Sequence, residues 1–148
     1  MGASMSGSYA TEVPSNASRR YDAGVASHHG HHESSIKNHV HPEVAQSVAG
    51  QEFRDWNHLR KAINVAWAAH PDAGSRFSEA SLTEMRQGRN PFADEAGRVG
   101  GRIKMEYDHY REIRDGADPM AIGNLRLISP SAHISKIGRI FNRMAGSI

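Results

Sequence analysis

Apolar side chains recur at spacings of three and four in the middle of the chain, and this pattern predicts helices. The first predicted helix carries the apolar stripe Phe53, Trp56, Leu59, Ile63, Ala66 and Trp67. Asp55 is its expected N-cap, and His70-Pro71 ends it because a residue before proline avoids the α region. The stretch Ser81-Leu-Thr-Glu84 predicts a capping box that opens a second, short helix, which Gly88 closes.

The pattern changes towards the C-terminus. Residues 102–107 alternate polar and apolar side chains, which predicts a half-exposed strand, and residues 125–128 predict a second one. Between them, Asp115-Gly-Ala-Asp-Pro is typical of a turn. Ser129-Pro130 predicts the start of a helix. The apolar face expected for this helix consists of Ile134, Ile137, Phe141 and Met144. The sequence therefore predicts an α+β fold: a mainly helical domain with a C-terminal ββα unit at about 102–141.

Residues 1–41 predict a flexible lead-in, rich first in Ser, Ala and Gly and then in His, while residues 42–148 predict the packed domain. Six of the ten histidines lie within 27–41. Such a tract can bind metal, although it is more typical of a polar linker or an affinity tag. The first residues lack the basic-then-apolar pattern of a signal peptide, so we expect that something else carries the protein if it is exported.

Composition narrows the chemistry. The chain has no cysteine, which excludes disulfides and thiolate zinc sites, so any metal must bind His, Asp, Glu or Asn. No apolar run is long enough to predict a membrane span. The net charge is +2, but from Arg98 onward nine Lys/Arg stand against five Asp/Glu, net +4. This modest positive charge lies around the part of the chain where a polyphosphate substrate would bind.

Four residues in the predicted ββα unit form an HNH pattern: Asp108, His109, Asn124 and His133. Phosphodiester hydrolysis needs a water, a base and positive charge on the phosphate oxygens. His109 is the candidate base, because a neutral imidazole is available near pH 7. Asp108 and His133 are candidate metal ligands from opposite elements, provided that the strand end twists, because neighbours on a strand face opposite sides. Asn124 is expected to bond the loop backbone and orient His109.

Arg102 and Glu106 are expected to share a face of the first strand, so that Arg102 can bind a phosphate while Glu106 orients its guanidinium. The alternative is that these residues have no role in catalysis, because an isolated Asp-His pair is usually two surface residues and a short HNH match is a weak motif. The position of the residues at a strand end, a strand start and a helix start favours the site.

From about Pro42 to Ile137, the chain resembles the HNH (ββα-metal) nuclease domain of DNase colicins and S-type pyocins. The likeness covers more than the four residues, because it includes sequences on both sides of them. These sequences are Gln51-Glu-Phe-Arg-Asp-Trp, His70-Pro-Asp, Arg76-Phe-Ser, Arg89-Asn-Pro-Phe92, residues 99–109 and residues 124–133.

The resemblance implies an endonuclease toxin domain that cuts DNA with little sequence preference and is neutralised by an immunity protein. It implies that His109 is the general base, that Asn124 is the central Asn, and that His133 is a metal ligand. Arg102 and Glu106 resemble residues that engage phosphate and support the site, and we expect Lys104 and Arg126 to add to the phosphate-binding surface. Phe92 resembles the aromatic anchor for immunity proteins, with Arg89 and Asn90 beside it.

Two departures from the family pattern concern the metal. Asp108 stands where the family usually has a His, and Ile137 stands where it has a further metal-binding His. A site of one carboxylate and one imidazole favours Mg²⁺ or Mn²⁺ as the cofactor, with Ni²⁺ or Zn²⁺ as alternatives.

The sequence therefore predicts a metal-dependent DNase, delivered from the producer within a larger toxin or secretion-system effector and acting in the cytoplasm of the target bacterium. Two alternatives stay open. One is a degenerate HNH module that binds DNA or a partner without catalysis, and the other is an RNase, because such a site reads phosphate more than base or sugar.

Overall fold

The computed structural model describes residues 19–21, 39–110 and 121–144. Their order is β1 (Arg19–Arg20), α1 (Pro42–Val48), β2 (Glu52–Phe53), α2 (Trp56–Ala68), α3 (Ala73–Arg76), α4 (Glu79–Arg86), β3 (Glu106–His109), β4 (Leu125–Ile128) and α5 (Pro130–Met144). The mixed helix and strand composition that the sequence predicts is confirmed. None of the described helices is both long and apolar enough to cross a membrane.

Helix α2 lies at the centre of the helical part and packs against α1 and α4. It begins as predicted, because the Asp55 carboxylate accepts a hydrogen bond from the His58 amide at 3.0 Å. Its inward face places Leu59, Ile63 and Trp67 in the core, each exposed by 1% or less. Burial of these large side chains stabilises a core cluster that also contains Tyr107, Leu125 and Leu127 from the C-terminal strands.

Strands β3 and β4 pair antiparallel, with Glu106 opposite Ile128 and His109 opposite Leu125. His39 forms a bridge to Arg126 on the other edge of β4. Helix α5 follows β4 directly, with the Ser129 hydroxyl accepting from the Ala132 amide at 3.2 Å. The start of this helix at Pro130 agrees with the prediction, and it sets α5 against β3.

Two predicted boundaries are wrong. The cap of α4 is Ser78 rather than Ser81, whose hydroxyl instead accepts from the Phe92 amide at 2.9 Å. The first C-terminal strand begins at Glu106 rather than Arg102. The residues before it make only isolated bridges, Val99 with Arg102 and Phe92 with Lys104, and the backbone turns at Gly100 with φ of 55°.

The apolar face predicted for α5 points to solvent instead of the core. Ile134, Ile137 and Phe141 are exposed by 42%, 54% and 70%. The face that packs against β3 carries His133 and Lys136, because the carboxylates of that strand need polar partners.

Part of the predicted lead-in packs on the domain. Tyr21 is 4% exposed and lies in the core cluster, and β1 pairs with β2. Val40 is also buried, and its amide donates to the Leu125 carbonyl at 3.0 Å. The rest of the lead-in and the turn predicted at Asp115 lie outside the described residues.

Candidate active site

Strand β3 sends alternate side chains to opposite sides, as a strand must. Glu106 and Asp108 point to α5, where they bond His133 and Lys136. Tyr107 and His109 point to α2, where the Tyr107 hydroxyl bonds Asn64 and the His109 ring lies 6.1 Å from that of Trp56. The strand therefore links a charged face on α5 to a largely apolar face on α2.

Glu106 joins two of the predicted site residues. Its carboxylate accepts two hydrogen bonds from the Arg102 guanidinium, at 3.0 and 2.7 Å, so the predicted pairing is present. It also accepts from Nδ1 of His133 at 2.8 Å. The bonds from Arg102, and to a lesser extent that from His133, lower the pKa of Glu106. Glu106 therefore stays ionised near neutral pH and holds both partners in place.

Asp108 is 8% exposed and is surrounded by cations. The Lys136 ammonium donates to Oδ1 at 2.9 Å and to Oδ2 at 2.7 Å, and it also donates to the His109 carbonyl at 2.7 Å. Arg126 lies opposite on β4 and donates through Nε to Oδ2 at 3.1 Å. Arg126 thus neutralises Asp108 rather than presenting its full charge to solvent.

The donor chemistry of Asp108 and His133 fits a divalent ion. Because Nδ1 of His133 donates to Glu106, Nε2 carries the lone pair of the neutral ring. A carboxylate that orients the far nitrogen is the usual support of a metal-binding imidazole. Nε2 lies 3.7 Å from Oδ1 of Asp108. A divalent ion could contact both atoms at this separation, and the Lys136 ammonium already bonds the same Oδ1.

His109 and Asn124 meet through the backbone at the end of the strand pair. The Tyr110 amide, next to His109, donates to the Asn124 carbonyl at 2.7 Å, and Asn124 is 5% exposed. The Nε2 atom of His109 is buried. The described contacts thus anchor the backbone of His109 beside the Asp108 group and direct its ring to α2.

Three other predicted residues lie away from this group. Arg89 and Lys104 both bond Glu84, and these bonds, led by that of Arg89, lower the pKa of Glu84 to about 2. Lys104 also lies over the Phe92 ring, 5.2 Å from its centroid. Phe92 lines a cavity of about 540 Å³ beside Trp67 and Phe77. These residues form a second cluster, centred on Glu84.

The polar atoms of Asn90 are used inside the fold, in a network that the sequence did not reveal. Its Oδ1 accepts from Asn64 at 2.8 Å and from Arg60 at 2.7 Å, and its Nδ2 donates to the Met105 carbonyl at 3.0 Å. Asn64 is fully buried, and its own Oδ1 accepts from the Tyr107 hydroxyl at 2.6 Å. This network joins α2, the loop before Phe92 and strand β3.

A further group of side chains of the kinds that bind metals lies at the start of α1. His41, Glu43 and His70 hold three ligating atoms within 4.8 Å of one another, the one such group found among the described residues. Nδ1 of His41 accepts a hydrogen bond from the Glu43 amide, and Nδ1 of His70 accepts one from the Asp72 amide, each at 3.1 Å. Each neutral ring therefore carries its proton on Nε2, and His70 donates it to Glu43 at 2.6 Å. This tautomer is that of a hydrogen-bonded ionic cluster rather than a metal centre.

Comparison with known proteins identifies the family of this chain. Residues 16–139 match the family described as the Colicin/Pyocin-S2 DNase domain. This chain belongs to that family. The match covers most of the chain, including all of the site residues discussed above.

Individual members of the Colicin/Pyocin-S2 DNase family show the same relationship. Pyocin-S2 of Pseudomonas aeruginosa is 35% identical over 92 residues, and Colicin-E2 of Escherichia coli is 28% identical over 91 residues. Each alignment covers 62% of this chain but only 13% and 16% of those proteins. The chain thus spans a small part of the length of these curated relatives.

Solved structures of similar nuclease domains share the fold. The pyocin AP41 DNase–immunity complex aligns with a TM-score of 0.61 at 25% identity, covering 70% of this chain and 80% of that one. The mutant nuclease domain of pyocin S8, solved with its cognate immunity protein, aligns with a TM-score of 0.58 at 29% identity. That alignment covers 79% of this chain and 88% of the other.

Within this DNase family member, sequence reasoning missed Lys136. The expectation of a third ligand from the sequence concerned Ile137, four residues beyond His133. Positions three apart on a helix also share a face, so the spacing of His133 and Lys136 was an available signal. This signal places Lys136 on the same face of α5 as His133, the face that packs against Glu106 and Asp108 of β3.

Proposed function

We propose that this chain is a metal-dependent, largely sequence-non-specific DNA endonuclease of the HNH (ββα-metal) type and acts as an antibacterial toxin domain. Family membership supports DNA cleavage. The single observation that supports the site is that two lone-pair atoms, Nε2 of His133 and Oδ1 of Asp108, lie 3.7 Å apart. Arg102 lies next to them, held by its hydrogen bonds to Glu106.

In this proposal, Asp108 and His133 hold the divalent ion, for which Mg²⁺ or Mn²⁺ is favoured over Ni²⁺ or Zn²⁺. The ion supplies positive charge for the oxygens of the scissile phosphate. Glu106 keeps the proton of His133 on Nδ1, which leaves Nε2 available as a ligand.

Arg102 is the phosphate-binding residue of the proposal. Its side chain is 48% exposed, and Glu106 holds the guanidinium through two bonds, which reduces the freedom lost when DNA binds. Arg126 is committed to Asp108 and Lys104 to Glu84, so we assign them to the electrostatic surface rather than to direct phosphate contacts.

His109 is the proposed general base, with Asn124 holding the adjacent backbone. For this role, the buried Nε2 of its imidazole must gain contact with the attacking water when DNA binds. His133 is the competing base, because its carboxylate-oriented ring also presents a lone pair. The variant His109→Ala separates the two candidates for the base. Loss of cleavage in His109→Ala with unchanged Mn²⁺ affinity supports His109 as the base, whereas cleavage at the wild-type rate contradicts it.

We also propose that a cognate immunity protein binds the cluster around Glu84, with Phe92 as the apolar anchor and Arg89 beside it. Asn90 then shapes the loop from within rather than contacting the partner. The solved pyocin AP41 and S8 relatives were crystallised with immunity proteins, which supports a partner of this class. Because the relatives are much longer, we further propose that a larger toxin or secretion-system effector delivers the domain from the producer to the cytoplasm of a target bacterium.

Incubation of the chain with supercoiled plasmid in Mg²⁺, Mn²⁺, Ni²⁺ and EDTA, and in parallel with RNA, tests the activity. Metal-dependent nicking of the plasmid supports the proposal. DNA retardation without nicking in any metal identifies a non-catalytic binding module, and cleavage of RNA alone identifies an RNase.

A further inference from the structure

Lys136 makes an unusual set of contacts for a surface helix residue. Its side chain is 11% exposed, and its ammonium bonds both oxygens of Asp108 and the carbonyl of His109, all within 2.9 Å. These three acceptors surround a small cation with oxygen atoms. The ammonium thus occupies a site that binds positive charge at the end of β3.

The pairing exceeds what neutralisation of Asp108 requires. Arg126 already donates to Oδ2 of that carboxylate at 3.1 Å. A lysine that is taken out of water loses much of its hydration, so a second buried cation on one carboxylate is a costly arrangement if stability is its sole purpose. Its position next to the proposed metal ligands suggests a functional purpose.

An ion on Asp108 and the Lys136 ammonium would bond the same oxygen. Oδ1 lies 2.9 Å from Nζ of Lys136 and 3.7 Å from Nε2 of His133. A divalent ion that binds Oδ1 together with Nε2 therefore lies close to a like charge at a poorly hydrated position, where repulsion is strong. The other charged groups facing this point are Glu106, through His133, and Arg126.

We propose that Lys136 is a built-in cation that competes with the divalent ion for Asp108. The ion binds when the ammonium moves off the carboxylate, so Lys136 keeps the metal affinity of the free domain low. This inference rests on the proposed metal ligands.

The test measures Mn²⁺ affinity by isothermal titration calorimetry without DNA, using the whole chain. Mn²⁺ prefers oxygen ligands, which limits its binding to the N-terminal histidines. We expect Lys136→Met to bind Mn²⁺ at least about tenfold more tightly than the wild type, because one like charge is removed from Oδ1. Adding Asp108→Asn should abolish this gain.

Lys61→Met is the matched control, because Lys61 is an exposed lysine on α2, away from Asp108, and its loss changes net charge equally. Its Mn²⁺ affinity should equal that of the wild type. An affinity of Lys136→Met within twofold of the wild type overturns the proposal, and so does an equal gain in Lys61→Met.

A second measurement covers the case in which Lys136→Met does not fold. In the wild type, ¹⁵N spectra of the lysine ammonium groups should show the protected Lys136 signal disappear as Mg²⁺ saturates the site. A signal that persists at saturation contradicts competition. Because neither readout involves DNA, a chain that binds metal as described but leaves plasmid uncut would refute the proposed nuclease function and leave this inference standing.

Discussion

The buried bond between Tyr107 and Asn64 yields a stability prediction with a magnitude. Tyr107→Phe removes a hydroxyl that donates to Oδ1 of Asn64 at 2.6 Å, at a position where Asn64 is fully buried. The amide oxygen then loses a donor where water does not replace it. Such a loss costs about 1–3 kcal/mol of unfolding free energy. For a chain of this size, each kcal/mol lowers Tm by about 2–4 °C, so the expected decrease is roughly 2–12 °C.

Urea denaturation followed by circular dichroism measures the change as a shift of the midpoint at constant m-value. Thr83→Val is the control, because it removes the hydroxyl that bonds the Glu79 carbonyl on the exposed side of α4, where the change should stay within about 0.5 kcal/mol. Burial raises the pKa of the Tyr107 hydroxyl well above its usual value, so the hydroxyl is a donor throughout the accessible range. The difference between wild type and Tyr107→Phe should therefore be equal at pH 6 and pH 9. A loss no larger than that of Thr83→Val would show that the hydrogen bond between Tyr107 and Asn64 does not stabilise the fold.

Three further predictions concern charge. Arg89 and Lys104 lower the folded-state pKa of Glu84 to about 2 from 4.5, so the stability that Glu84 contributes should be complete above about pH 5 and lost as pH falls towards 2. The Tm of Glu84→Gln should therefore lie below that of the wild type at pH 7 and converge with it near pH 2. A difference in Tm that stays constant with pH would contradict this prediction. Arg102→Ala should weaken DNA binding and reduce the salt slope of log K by about one unit, and an unchanged slope would show that Arg102 does not contact phosphate. Ile137→His, at an exposed position one turn after His133, should raise Zn²⁺ affinity above that of the wild type in calorimetry, and no gain would separate this face from the metal site.

Local signals predicted the elements well where local interactions decide them. The cap at Asp55 acts within one turn, and the apolar stripe after it meets a core that other helices complete, so α2 was predictable. The Ser129-Pro130 start of α5 is likewise local. The cap of α4 was not, because Ser81 bonds the distant Phe92 amide and Ser78 takes over the capping role.

The candidate site shows the same division. The motif predicted which residue types matter, and the contact between Arg102 and Glu106 followed from their spacing. The orientation of α5 did not follow, because apolar periodicity favours burial of Ile137, whereas the two carboxylates of β3 require the polar face inward. That long-range demand determines the position of Lys136. The spacing from His133 indicates that the two residues share a face of the helix, but not that this face turns inward.

The most direct test of the account is plasmid nicking in Mn²⁺ by the wild type and by His133→Ala, with circular dichroism to confirm that the variant is folded. We expect nicking by the wild type that EDTA abolishes, and at least about tenfold slower nicking by His133→Ala, because the groups that support a metal site typically contribute 10–100-fold to metal affinity or activity. Cleavage by the wild type in EDTA, or cleavage by folded His133→Ala at the wild-type rate, would contradict a metal-dependent nuclease site built on Asp108 and His133.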